Sequence, residues 1–143
     1  MKMYEKILVA TDGSSYSEEA VEYAINLAKA SGAELIALHV ATIDPSIGMI
    51  WEDVKDIVMT RQGTMLEDIK KEAEKRGVDI RTIIEQGIPS EKIIETAEKE
   101  GADVIIMGSH GHSGLEKILV GSVTERVIGG TSLPVMVVSE KRV

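Results

Sequence analysis

The residues from Gly108 to Val127, GSHGHSGLEKILVGSVTERV, combine four glycines with hydroxyl side chains and follow an apolar run. Glycine costs the chain conformational entropy, so four in one connection need a reason. The chemistry such a set can do is to cradle a phosphate with backbone N–H groups. Two familiar cradles fail on letters alone. Walker A needs a Gly-Lys dipeptide and the dinucleotide fingerprint needs G-x-G, and the chain holds neither. What remains is G-x2-G-x9-G-S, carried by Gly108, Gly111, Gly121 and Ser122. Gly108, at a strand end, would let a ring or sugar lie against the backbone, and Gly111 could turn the chain with positive φ. Gly121 and Ser122 stand at a helix start, where the first N–H groups lack internal partners and the dipole favours negative charge. A phosphate there would accept from the backbone of Ser122, Val123 and Thr124 and from the Ser122 and Thr124 hydroxyls. Each charge-assisted contact is worth roughly 1.5–3 kcal/mol. A second reading competes at the same letters. Ser122-Val123-Thr124-Glu125 is an S-x-x-E capping box, in which Ser122 caps its own helix. A capping hydroxyl can share with a ligand oxygen, so both readings stand.

The elements that must position these residues alternate in type. KILVA (Lys6 to Ala10) reads as a buried strand. A helix follows from Ser15 to Ser31, with Ser15 and Glu18 as a capping box and Gly32 at its end. ELIALHV (Glu34 to Val40) is a second strand. Ala41 to Gly63 is hard to read: Asp44-Pro45 and Gly48 mark a loop, and Trp51 to Thr60 could begin a helix. Leu66 to Arg76 is helical. Val78 to Glu85 alternates like a strand exposed on one face. A helix begins after Pro89, with Ser90 as its cap, and runs to Glu100. DVIIM (Asp103 to Met107) is a fourth strand, Ser122 to Ile128 a helix, and PVMVV (Pro134 to Val138) a last strand.

Strand and helix alternation argues for one α/β domain over residues 1–143, an open parallel five-stranded sheet with helices on both faces, Rossmann-like. The apolar first and fourth strands belong at the centre and the third at an edge, which gives the order 3-2-1-4-5. The topological switch then lies between strands one and four, where open sheets bind ligands. Thr11-Asp12-Gly13 and Gly108-Ser109-His110-Gly111 meet there.

Composition fits an ordinary soluble globule of 143 residues, 43% hydrophobic and 28% charged. No run approaches a membrane span, the start does not read as a signal peptide, and a cytoplasmic location is the default. The absence of cysteine excludes disulfides and thiolate metal sites. A net charge of −8 argues against a broad nucleic-acid surface. It leaves a small anion possible, because backbone N–H groups need no lysine.

TDGS near the start, IIMGSHGHSG, GSVTERV and LPVMVV together resemble the universal stress protein family over essentially the whole chain. The glycine pattern resembles that of its ATP-binding branch at every defined position. The resemblance implies a site for ATP, or for AMP or ADP. Asp12 would hold the adenine or ribose end with Ala10 backbone nearby, and Val40 backbone would meet the adenine. Met107, Gly108 and Gly111 would line the ribose and first phosphate, with His110 beside the phosphates. Gly121, Ser122, Val123 and Thr124 would bind the polyphosphate. Mg²⁺ would be held through phosphates and water rather than by protein ligands, as suits its reluctance to dehydrate.

Other residues have plainer readings. Asp12 could shape its turn or cap the first helix. His39, His110 and His112 come from two loops with no carboxylate between them and read as ordinary polar histidines rather than metal ligands. Lys117 reads as a solvated helix-face lysine, and the role of Trp51 stays open. Pro134 to Val138 is apolar and predicted to lie at a sheet edge, which invites a two-fold homodimer through that strand; the resemblance implies the same. Three functions follow. The first is a nucleotide-dependent regulatory switch in a stress response, with little or no turnover. The second is a slow ATPase or nucleotidyl-transferring enzyme, with His110 or Asp12 as base. The third is a dimeric interaction protein that needs no nucleotide. No arginine finger or P-loop lysine is evident, so binding without efficient turnover is the expectation.

Overall fold

In the computed structural model, residues 3–42, 51–109 and 120–139 are described. The order is β1 (Lys6–Ala10), α1 (Ser15–Ser31), β2 (Glu34–Ala41), α2 (Trp51–Lys75), β3 (Ile80–Gln86), α3 (Pro89–Glu100), β4 (Val104–Gly108), α4 (Ser122–Gly130) and β5 (Val135–Val138). The strands form one sheet in the order β3-β2-β1-β4-β5, with every neighbouring pair parallel. This is the order expected from the apolar character of the strands.

The side-chain period of two divides the core between the sheet's faces. Ile7, Val9, Leu35, Ala37, Val104 and Ile106 pack with Ala20, Ala24 and Ala28 of α1 and with Leu66 and Ala73 of α2. Leu8, Ile36, Leu38, Ile105 and Met107 pack with Ile93 and Ala97 of α3 and with Val127 of α4. Helices therefore cover both faces. β1 and β4 are buried on both, which is why their sequences read as unbroken apolar runs.

Several local expectations are corrected. The stretch from Trp51 to Lys75 is one helix, not a fragment followed by a second start at Leu66. Gly63 costs an exposed helix about 1 kcal/mol, yet the helix passes through it. β3 starts at Ile80, because Val78 still bonds back to the Ala73 carbonyl at the end of α2. Pro134 precedes β5, although its carbonyl accepts the Ile105 N–H at 3.0 Å. Two predicted caps sit one or two residues too far along. Ser14, not Ser15, is the N-cap of α1, and Ile88, not Ser90, that of α3. Pro89 takes the first helical position of α3, where its missing N–H costs nothing, and Ser90 is buried behind it.

The end of the sheet opposite the switch loops is closed by charge. The Asp103 carboxylate accepts the N–H groups of Glu5 and Lys6 at 2.8 and 2.9 Å. Arg81 on β3 bridges Glu34 of β2 at 2.6 Å and Glu100 at the end of α3 at 3.1 Å. Its hydrogen bond to Glu100 holds that carboxyl below the ordinary glutamate value. Arg76 does the same to Glu22, tying α2 to α1. A folded-state pKa below the unfolded one gives stability that is present above the unfolded value and lost as pH falls through the folded one. The thermal midpoint should therefore be lower at about pH 3 than at about pH 7. Arg81→Gln should narrow that gap, because Glu100 then loses the largest cause of its lowered pKa. An unchanged gap in thermal unfolding at the two pH values would mean that the bridge does not form in solution.

Candidate functional site

The carboxyl ends of β1, β2 and β4 open into a cavity of about 450 Å³. Of the residues singled out from sequence, Ala10, Asp12, Val40, Met107, Gly108, Gly121, Ser122, Val123 and Thr124 all line it. His110 and Gly111 lie outside the described residues, as do His112 and Lys117.

The start of α4 forms one corner. Glu125 N–H to Gly121 O, at 2.9 Å, is its first helical bond, so Gly121 is the N-cap and Ser122 the first helical residue. The capping-box reading of Ser122 and Glu125 is thereby overturned: Ser122 sits one position inside the helix, exposed, and caps nothing. Gly121 has no side chain to return to the helix. The N–H groups of Ser122, Val123 and Thr124 accordingly have no partner among the described residues. The Thr124 hydroxyl, expected to face a phosphate, instead gives its proton to the Gly108 carbonyl at 2.9 Å and is buried. It rivets α4 to the end of β4. Gly121 N–H donates to Ser109 O at 2.6 Å, so residues 109 and 121 are clasped.

The opposite corner is the turn after β1. Asp12 Oδ1 accepts both the N–H and the hydroxyl of Ser14, at 2.9 and 2.5 Å, and Gly13 turns with φ +79°. Asp12 thus shapes the turn, as one of its two readings held, and lines the cavity as well. With the Ser14 hydroxyl donated to Asp12, α1 has no side-chain cap. Behind the turn runs a directed chain of hydroxyls. Gly13 N–H donates to Thr11 Oγ1 at 3.2 Å, Thr11 Oγ1 to Ser17 Oγ at 2.9 Å, and Ser17 Oγ to Ser14 O at 2.9 Å. Ser17 has one proton, which the Ser14 carbonyl takes, so Thr11 must be the donor in the middle bond.

Between the corners, Leu38, Val40, Ile93, Met107 and Val123 belong to the α3/α4 side of the core and give the cavity an apolar wall. Asp12 is the one charged residue among the described lining residues, which include no Lys or Arg. The arrangement suits an amphipathic ligand, with a flat apolar body on the wall and an anion at the start of α4. Sequence reasoning placed Thr11 at the switch without giving it a role, and missed Ser17, Leu38, His39, Ala41, Thr42, Gln62, Pro89 and Ile93 as lining residues. Thr42 directly follows the second strand, a placement that could have flagged it. Pro89 opens α3 and Ile93 lies one turn further along the same face, also readable. Gln62 lay in the stretch that resisted reading.

Thr124 and Ser122 can be separated by stability. Thr124→Val should cost about 1–2 kcal/mol in urea unfolding through loss of a buried hydrogen bond. Ser122→Ala should change it by less than about 0.5 kcal/mol. A larger loss at Ser122 would restore the capping box.

The sequence model of the universal stress protein family matches residues 3–139. Universal stress protein MJ0531 of Methanocaldococcus jannaschii is 42% identical, over 98% of this chain and 85% of its own. The solved structure of MJ0577 aligns with a TM-score of 0.83 at 41% identity over 99% of both chains. A universal stress protein solved in complex with cAMP aligns with a TM-score of 0.72 at 25% identity, over 96% of this chain and 98% of its own. The parallel order, the clasped glycine segment and these matches agree, and the chain belongs to the universal stress protein family.

Proposed function

We propose that the chain binds an adenine nucleotide, ATP or its mono- or diphosphate, in this cavity, and that occupancy rather than turnover is its output as a regulatory switch. The observation that carries the reading is the glycine N-cap of α4, which leaves the N–H groups of Ser122, Val123 and Thr124 open beside an apolar wall. The relative that holds cAMP supports an adenine nucleotide as the class. In this reading the base lies toward Val40 and Asp12, the ribose over Met107 and Gly108, and the phosphates at Gly121 to Thr124, with His110 and Gly111 beside them. Ala10 supports the base from the end of β1. Mg²⁺, held through the phosphates and water, would offset their charge. A phosphoryl-transfer enzyme needs cationic stabilisation of the moving group. The described lining supplies no such cation, so little phosphate release is expected.

β5 is an edge strand, and Val137 on it is exposed. We take Pro134 to Val138 as the seam of a homodimer. Val137→Lys should shift sedimentation to a monomer, since a charge on an edge strand opposes pairing.

The nucleotide reading is tested on protein refolded from denaturant, which strips carried-over ligand. Calorimetry with ATP, AMP and GTP in the presence of Mg²⁺, with phosphate release followed in parallel, should show ATP heat and negligible release. Gly121 has φ −72°, which any residue adopts, so Gly121→Val should stay folded, its midpoint lowered only as far as a poorer N-cap requires, and lose binding. ATP heat that is equal in both proteins, or absent from the wild type, would end the proposal.

A further inference from the structure

His39 is buried at the end of β2, and its Nδ1 lies 2.9 Å from the Thr11 carbonyl oxygen. A carbonyl only accepts, so Nδ1 carries the proton. The position of this bond in the ladder matters. β1 and β2 are parallel with Ala10 opposite Leu38, and Thr11 N–H continues the ladder to Leu38 O at 2.9 Å. In a parallel pair the next rung runs from the residue two further along the partner strand, so Val40 N–H would reach Thr11 O. That rung does not form, and the imidazole takes the Thr11 carbonyl in its place. Val40 lines the cavity, and its N–H belongs to the edge that faces β1.

We infer that His39 is the positioning residue of the site. By capping the Thr11 carbonyl with its own Nδ1–H, it ends the β1–β2 ladder one rung early. This leaves the Val40 N–H available to an acceptor on a ligand's ring, while Thr11 stays fastened and Asp12 stays in place. Thr11 is then held at its N–H by Leu38, at its carbonyl by His39 and at its hydroxyl by Ser17. Asp12, the next residue, inherits that rigidity. Without the ring, the simplest way to satisfy the buried carbonyl is for Val40 to close the rung, which consumes the donor. A heteroaromatic base with a ring-nitrogen acceptor is the ligand chemistry that such a donor recognises. The affinity part of the test rests on the nucleotide reading; the geometric part does not.

The test compares wild type, His39→Asn and His39→Leu. An asparagine amide can reach where Nδ1 stood, and a leucine fills space without donating. Nitrogen NMR of the wild type should show the Nδ1–H tautomer and a fast-exchanging Val40 amide. His39→Asn should keep that amide open and hold ATP affinity within about twofold of wild type. His39→Leu should protect the Val40 amide and weaken ATP·Mg²⁺ about tenfold, the scale of one lost hydrogen bond. An Nδ1 without its proton, a protected Val40 amide in the wild type, or equal affinity losses in the two variants would overturn the inference. If the wild type binds no nucleotide at all, the nucleotide reading falls. The tautomer and the Val40 exchange rates still decide the role of His39, whether or not His39→Leu folds, because both are read on the wild type.

Discussion

α4 begins on Gly121, and a residue without a side chain returns no oxygen to the N–H groups of Ser122, Val123 and Thr124. Backbone donors are obligatory hydrogen-bonding groups, and leaving one buried without a partner costs on the order of 1–3 kcal/mol. Serine at the cap would have satisfied one donor and reduced the corner's appetite for an anion. Much of the surrounding structure serves to hold this corner still. Thr124 spends its hydroxyl on Gly108, and Gly121 spends its own N–H on Ser109. The helix whose first donors have no partner among the described residues is therefore pinned to the end of β4 by bonds of its own.

The sheet makes the corner possible from a distance. A parallel strand pair leaves all carboxyl ends on one side, and the reversal of order between β1 and β4 parts the following connections so that a crevice opens. β1 turns toward α1 on one face, and β4 leads to α4 on the other. Apolar burial supplies the rigidity: residues such as Ile7, Leu8, Ile105 and Ile106 are fully buried, each worth about 1.5–3 kcal/mol. The surface bridges of Arg76 and Arg81 contribute less, about 0–1 kcal/mol per exposed pair. They fasten the elements away from the cavity, where a charge would not disturb the site.

Strand identity and order were legible because a strand buried on both faces has to be apolar at every position, and VIIM has no other reading. The helix starts were less so. S-x-x-E occurs at Ser15 and Ser122, but the hydrogen-bonding frame is set by where the preceding turn ends, and that is a three-dimensional fact. At α1 the frame moved because Asp12 captures Ser14. At α4 the cap falls on Gly121, and Thr124 bonds back to Gly108. Gly108, Gly121 and Asp12 could be named as lining residues, since topology puts strand ends and the following helix start together. His39 could not be weighed properly. Its letter is that of any polar histidine, and only the partner of Nδ1 and the missing ladder rung distinguish it.

An anion corner made of amides also reconciles the site with a chain of net charge −8. Lysines gathered at the mouth would draw in any polyanion, nucleic acid included, through a field that acts over about a Debye length, roughly 8–10 Å in ordinary salt. Amide dipoles at a helix start act only within the first turn. An extended phosphate backbone would gain little from three donors at the start of one helix. In the nucleotide reading proposed above, a small phosphate-bearing ligand would enter the cavity, and Mg²⁺ would lower the charge it brings. On that proposal, using dipoles in place of charges would favour a compact anion over a long one.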